Sequence, residues 1–186
     1  QGSGAGLDSM IIALVKNILT PSIWAIGWVA WFGGLIMVFI AISRILKSEQ
    51  EGARGPTGIG TIGTFVIAGC LLSLNSIIFY INNSIFNTSG LSTYGVLQYT
   101  NGLSTPAQDH ARAVISSLVA FAALIGWVSV VRGLFIIRGV SEGNSQASMM
   151  AAITHIIGGG LAINLGGVIM AVQNTLGITS YGIVFN

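Results

Sequence analysis

The chain has 186 residues, of which 53% are hydrophobic and only 6% charged, and its mean hydropathy is +0.84. A soluble domain wets its surface with about 25% charged residues, so this composition excludes an ordinary water-soluble globule. The net charge of +2 rests on seven basic and five acidic side chains, with no basic cluster of the kind that tracks a phosphate backbone.

In chain order, Gln1 to Ser9 is small and polar, the composition of a processed N-terminus, so removal of an export signal is expected. Met10 to Leu19 reads as an amphipathic or interfacial helix, and Pro21 fits the first turn of the helix that follows. Ile23 to Ile42 holds no ionisable residue and forms the first span, with Trp24, Trp28 and Trp31 toward the end where an aromatic belt sits. The connection Ser43 to Pro56 carries Arg44, Lys47, Glu49, Glu51 and Arg54, and Ile59 to Ile81 is a second uncharged span. Asn82 to His110 is a polar loop. Ala113 to Val131 is the third span, closing on Arg132 to Arg138, and the turn Gly139 to Gln146 carries Glu142. The fourth span, Ala147 to Val172, is interrupted only by His155, and Gln173 to Asn186 is an uncharged tail. Each span approaches or exceeds the roughly 20 residues that cross a bilayer.

The expected fold is all-α and integral to the membrane, with four hydrophobic helices arranged as two similar helical hairpins. Residues 1–82 hold the leader, the amphipathic helix and the first hairpin, 83–112 the polar loop, and 113–186 the second hairpin and tail. Five of the seven basic residues, Arg44, Lys47, Arg54, Arg132 and Arg138, flank the two hairpin turns, while Lys16 and Arg112 do not. The positive-inside bias puts the turns in the cytoplasm. Both termini and the central loop then lie in the periplasm of a Gram-negative cell. The chain also repeats short patterns, which read as a duplicated hairpin or as chance likeness within a restricted alphabet. Ile26-Gly27-Trp28-Val29 recurs as Ile125-Gly126-Trp127-Val128, and Ile67, Gly69, Leu72 and Asn75 match Ile156, Gly158, Leu161 and Asn164 at constant spacing.

Residues with chemistry to offer are few. No acid–base centre or metal-ligand spacing stands out, so a non-enzymatic role is expected, without cofactor apart from bound phospholipid. Cys70 reads as a small packing residue. His155 reads mainly as a neutral, hydrogen-bonded residue helped by Thr154 and Asn164, and Asn75 and Asn164 as interhelical polar contacts. Gly63, Gly69, Gly158, Gly159 and Gly160 are candidate helix-packing positions, because small residues let helix backbones approach in lipid. Arg44, Lys47, Arg54, Arg132 and Arg138 read either as topogenic charges or as groups facing lipid phosphate or an aqueous lumen.

The leader Gln1-Gly-Ser-Gly-Ala-Gly-Leu-Asp-Ser-Met10 resembles the mature N-termini of conjugative and VirB-type pilins, whose plan is two hydrophobic helices with a basic cytoplasmic turn. The stretches Gly139-Val-Ser-Glu-Gly-Asn144 and Ala151-Ala-Ile-Thr-His155 through Asn164 look more specifically like the IcmC/DotE and TraQ group of type IVB secretion and IncI-type conjugation systems. That likeness covers mainly residues 110–175, and four spans with a long central loop depart from the ordinary two-span pilin. The resemblance implies a pilin-like structural subunit that forms homo-oligomers, with membrane lipid and other secretion components as partners. It also implies passage of DNA or protein without sequence-specific contact. A non-filamentous inner-membrane channel or scaffold of the same apparatus is the alternative. A small transporter using His155 and Asn164 is a third.

Overall fold

The computed structural model describes residues 6–51, 58–86 and 106–177. Of these, 92% are helical and none is in a strand. The helices are α1 (Leu7–Glu51), α2 (Gly58–Leu72), α3 (Leu74–Phe86), α4 (Pro106–Ser141), α5 (Met149–Ile163) and α6 (Leu165–Leu176).

Two of them are long and apolar enough to cross a membrane, α1 over Ile12–Gln50 and α4 over Ser117–Ser141. Up to four spans result if each of two bent pairs, α2 with α3 and α5 with α6, is counted as one. The expected amphipathic helix and first span are therefore one continuous element, and Pro21 lies inside it rather than in a first turn. Proline removes one backbone hydrogen bond, but the flanking turns stay helical through Ile12 to Gln50. The basic connection also begins later than Ser43, because α1 continues to Glu51. His110 and Arg112, assigned to the central loop, belong to the backbone of α4.

The second and fourth spans differ more. Neither is a single straight helix: α2 and α3 are bent by 85° at Ser73, and α5 and α6 by 79° at Asn164. At the first break the Ser73 hydroxyl donates to the Gly69 carbonyl at 2.8 Å, sharing that acceptor with the Ser73 N–H. At the second, Asn164 leaves helical geometry (φ −110°, ψ 42°) while its N–H still reaches the Gly160 carbonyl. Asparagine favours such departures because its side chain bonds locally. Its side chain folds over the first turn of α6, where a Cβ on Gly167 would come within 2.8 Å of it.

Contacts fix the helix directions. Gly34 of α1 lies on Ala68, Leu71 and Leu72 of α2, while Arg44 reaches Thr64, so these two helices run antiparallel. Gly126 of α4 meets Gly159 and Ile163 of α5, and Gly133 meets Ala152 and Ile156, again antiparallel. Gly33 lies near Phe135 and Arg44 near Glu142, so α1 and α4 run parallel. The core between them gathers Ala30, Met37, Ile67, Ala68, Leu71, Ala123, Trp127, Val130 and Ile163. Outward, every long helix presents large apolar side chains, among them Val29, Phe39, Ile62, Val66, Phe121, Val128, Met150 and Ile157. Water would be a poor solvent for that surface, and hydrocarbon suits it.

Candidate functional site

The most organised polar group lies where α1, α2 and α4 converge. Glu142, just beyond the end of α4, receives Arg44 Nη1 at 2.9 Å and Arg138 Nε at 3.0 Å on the same oxygen, Oε1. The Thr64 hydroxyl is 3.2 Å from that oxygen and 2.8 Å from the Gly60 carbonyl. A hydroxyl has one proton, so Thr64 donates to one of them at a time. Arg44 Nη1 also lies 3.4 Å from Thr64 Oγ1, donating to its lone pair. Thr64 is fully buried, and the Glu142 and Arg44 side chains are 26% and 29% exposed. Partial burial pushes the Glu142 carboxyl up, but the Arg138 hydrogen bond and charge, the Arg44 charge and Thr64 outweigh it and hold the group below its ordinary value.

This cluster reassigns two of the basic residues. Arg44 and Arg138 are half-buried and paired with a carboxylate between elements. Lys47 is exposed beside Ile36, Phe39, Ile40 and Ser43, a position open to head groups. Arg54 lies outside the described residues.

Arg132 is exposed and, with His155, lines a shallow depression of about 430 Å³ between the end of α4 and the start of α5. Phe135 and Ile136 form its apolar wall, and Asn144, Gln146 and Ser148 its polar lip. His155 Nδ1 is 2.8 Å from the Ala151 carbonyl; a carbonyl only accepts, so Nδ1 carries a proton. The expected helpers act elsewhere: Thr154 donates to the Met150 carbonyl at 2.9 Å, and Asn164 sits at the helix break. The main chain at His155 accepts from the Ser129 hydroxyl at 2.9 Å, joining α5 to α4. Ser129→Ala should therefore lower stability by about 0.5–1.5 kcal/mol, measured by thermal unfolding in detergent. No change would remove this bond from the list of α4–α5 ties.

No family model, curated protein or solved structure matches the chain. The geometry alone therefore sorts the candidate packing residues. Gly159 is a close-contact position, where a Cβ would come 2.8 Å from the Gly126 carbonyl oxygen. Gly160 approaches Ile81 of α3, and a Cβ on Gly63 would collide with Ser141. Gly69 and Gly158, by contrast, have open space where a Cβ would go. Both are exposed, as are Leu72 and Leu161, the residues three positions on from each. Asn75 is exposed beside Trp24 and Trp28, whereas Asn164 is buried, so the paired asparagines do different work.

Sequence reasoning passed over Glu142 and Thr64 as partners, and Gly34, Gly126 and Gly133 as packing sites. For Glu142 one signal existed: it lies four residues after Arg138, a spacing that brings side chains together on a helix. For Gly126 the repeated Ile-Gly-Trp-Val motif was a signal of a different kind.

Proposed function

We propose that the chain is a pilin-like structural subunit of a conjugative or type IV secretion apparatus, assembling through its small-residue helix surfaces into a pilus or conduit for DNA or protein. Before assembly it would reside in the inner membrane of a Gram-negative bacterium as two similar helical hairpins, termini in the periplasm. The observation that carries this reading is the apolar surface left on every long helix, Val29 and Phe39 on α1, Val66 on α2, Val128 on α4 and Ile157 on α5. A subunit so uniformly apolar must be covered by lipid and by neighbours, and assembly is the economical way to cover it. Support for the two-hairpin arrangement comes from the Arg44–Glu142 pair, which ties the C-terminal part of α1 to the turn after α4. The resemblance of the leader and of residues 139–164 to secretion-system proteins points the same way.

A second reading has its own observation. The 85° and 79° breaks suit a membrane-resident channel or scaffold of the same apparatus better than straight filament packing. Electron microscopy of sheared extracellular filaments, labelled through an epitope on this chain, separates the two. Labelled filaments are expected. Label confined to the inner-membrane fraction would sink the filament and leave the scaffold.

A further inference from the structure

Each break ends a helix that packs lengthwise on a long span. Helix α2 starts beside the C-terminal part of α1, where Ile45, Ser48 and Glu49 adjoin Gly58, Thr61 and Ile62, passes the Arg44–Glu142 cluster at Thr64 and continues beyond it to Leu72. Helix α5 likewise starts just after the Glu142 turn and runs away from it along α4. Both have 15 residues before the chain turns through 85° and 79°. At 1.5 Å per residue each is about 22 Å long, short of the roughly 30 Å hydrocarbon layer. Helices α3 and α6 then travel almost at right angles to elements that pack lengthwise on the spans α1 and α4. A helix so placed runs nearly parallel to the membrane plane.

The side chains agree with that placement. In α3, Leu74, Ile78 and Asn82 are buried against the protein, and the exposed side carries Asn75, Ser76, Tyr80, Asn83, Ser84 and Ile85. Were α3 the second half of a span, these amides and hydroxyls would face hydrocarbon, which is unfavourable for groups that water solvates well. In α6 the pattern is the reverse. Val172 and Leu176, one turn apart, are 51% and 64% exposed on an apolar stripe continued by Leu165, Val168 and Ile169, while Gln173, Asn174 and Thr175 occupy the rest of its last turn.

We infer that α3 and α6 are interfacial helices, lying in the plane of the membrane on the side opposite the Arg44–Glu142 cluster. The partner of α6 is the lipid surface, with Val172 and Leu176 set into the boundary between head groups and acyl chains. Helix α3 rests Leu74, Ile78 and Asn82 on the protein and turns its mainly polar side to water. An interfacial helix sits about 5–10 Å deep, which makes up the shortfall in the length of α2 and α5. The breaks at Ser73 and Asn164 then mark where each span surfaces. A re-entrant path is disfavoured because it needs the chain to turn back toward the cluster, and 85° falls well short of a reversal.

This inference rests on membrane insertion and not on the filament. In a Cys70→Ala background, single cysteines at Asn75, Asn83, Gln146, Ile36 and Ile157 are treated with a membrane-impermeant maleimide in bacterial spheroplasts and in inverted vesicles. Cysteines at 75 and 83 are expected to react from the face opposite to 146, with the outward-facing 36 and 157 protected. A spin label at Val172, in phosphatidylethanolamine–phosphatidylglycerol vesicles, should be relaxed by both oxygen and a water-soluble nickel chelate, as a boundary position is. Protection of 75 and 83 from both sides would make α2 and α3 one broken span and overturn the inference. Reaction from the same face as 146 would make them re-entrant and overturn it too. Relaxation of the label by the nickel chelate alone would place α6 in water and overturn its half of the inference. If 36 and 157 react as well, membrane insertion itself fails, an outcome distinct from the others.

Discussion

Gly126→Ala is expected to lower the stability of the protein by about 1–3 kcal/mol, the usual cost of overpacking, despite alanine's better helix propensity. The reason is backbone proximity. A Cβ at this position would stand 2.6 Å from the Gly159 carbonyl oxygen and 2.9 Å from the Ile163 N–H nitrogen. Main-chain atoms cannot rotate aside as a flexible side chain does, so α4 and α5 must move apart along their seam. Contacts at Gly133 with Ala152 and Ile156, and the Ser129 bond to His155, would loosen with it. In lipid, helix association depends on such close packing because tails compete equally for apolar surface. Gly158→Ala and Gly69→Ala are the matched controls. Both positions are helical with nothing within 4 Å of a built Cβ, so propensity alone should act and each should gain up to about 1 kcal/mol. Thermal unfolding in detergent micelles measures all three. If Gly126→Ala and Gly158→Ala shift the midpoint alike, the seam is not packed as described.

Glu142→Gln is expected to cost about 1–3 kcal/mol, because it removes the charge from a carboxylate held by two guanidinium groups and leaves them side by side. Exposure of roughly a quarter of each side chain keeps the expected cost below that of a fully buried pair. A double-mutant cycle with Arg44→Gln isolates the link between α1 and the turn after α4. A coupling of about 0.5–3 kcal/mol is expected, and additive effects would show that the two helices are not tied there. The pH dependence follows from the direction of the shift. The Glu142 carboxyl is held below its ordinary 4.5 in the folded protein, so its contribution is complete above that value. It is lost progressively as pH falls from there through the folded-state value. Wild-type protein should thus lose stability relative to Glu142→Gln on acidification below about 4.5, with the two curves parallel from pH 5 to 7.

Much of this was legible in the sequence, for a physical reason that works locally. Long runs without a charged residue, such as Ile23 to Ile42, have one low-energy environment whatever their neighbours, and a backbone in that environment must satisfy itself as helix. The gathering of basic residues toward the ends of the first and third spans was equally visible, as was the sequence likeness that pairs Gly69 with Gly158. The same uniformity hid everything that depends on faces. When nearly every position is apolar or small, periodicity does not distinguish an outward glycine from an inward one. Gly158 and Gly159 are neighbours in one run, yet one faces open space and the other a carbonyl of α4.

The partner of Arg44 was unreadable because it lies 98 positions away in the chain, and only the packing of α1 beside α4 brings Glu142 to it. The breaks at Ser73 and Asn164 were missed because no charged residue interrupts either run there, and the polar residues Ser73, Asn75, Ser76 and Asn164 were read as lying within continuous spans. At the second break an asparagine leaves helical geometry, a backbone departure that apolar content does not report. The sequence by itself determined the solvent, the helical state and the charged ends of this protein, since each follows from local transfer energies. Which glycines touch, which charges pair and where the spans turn were decided by tertiary structure, since each depends on a contact between distant segments or on the direction a side chain takes.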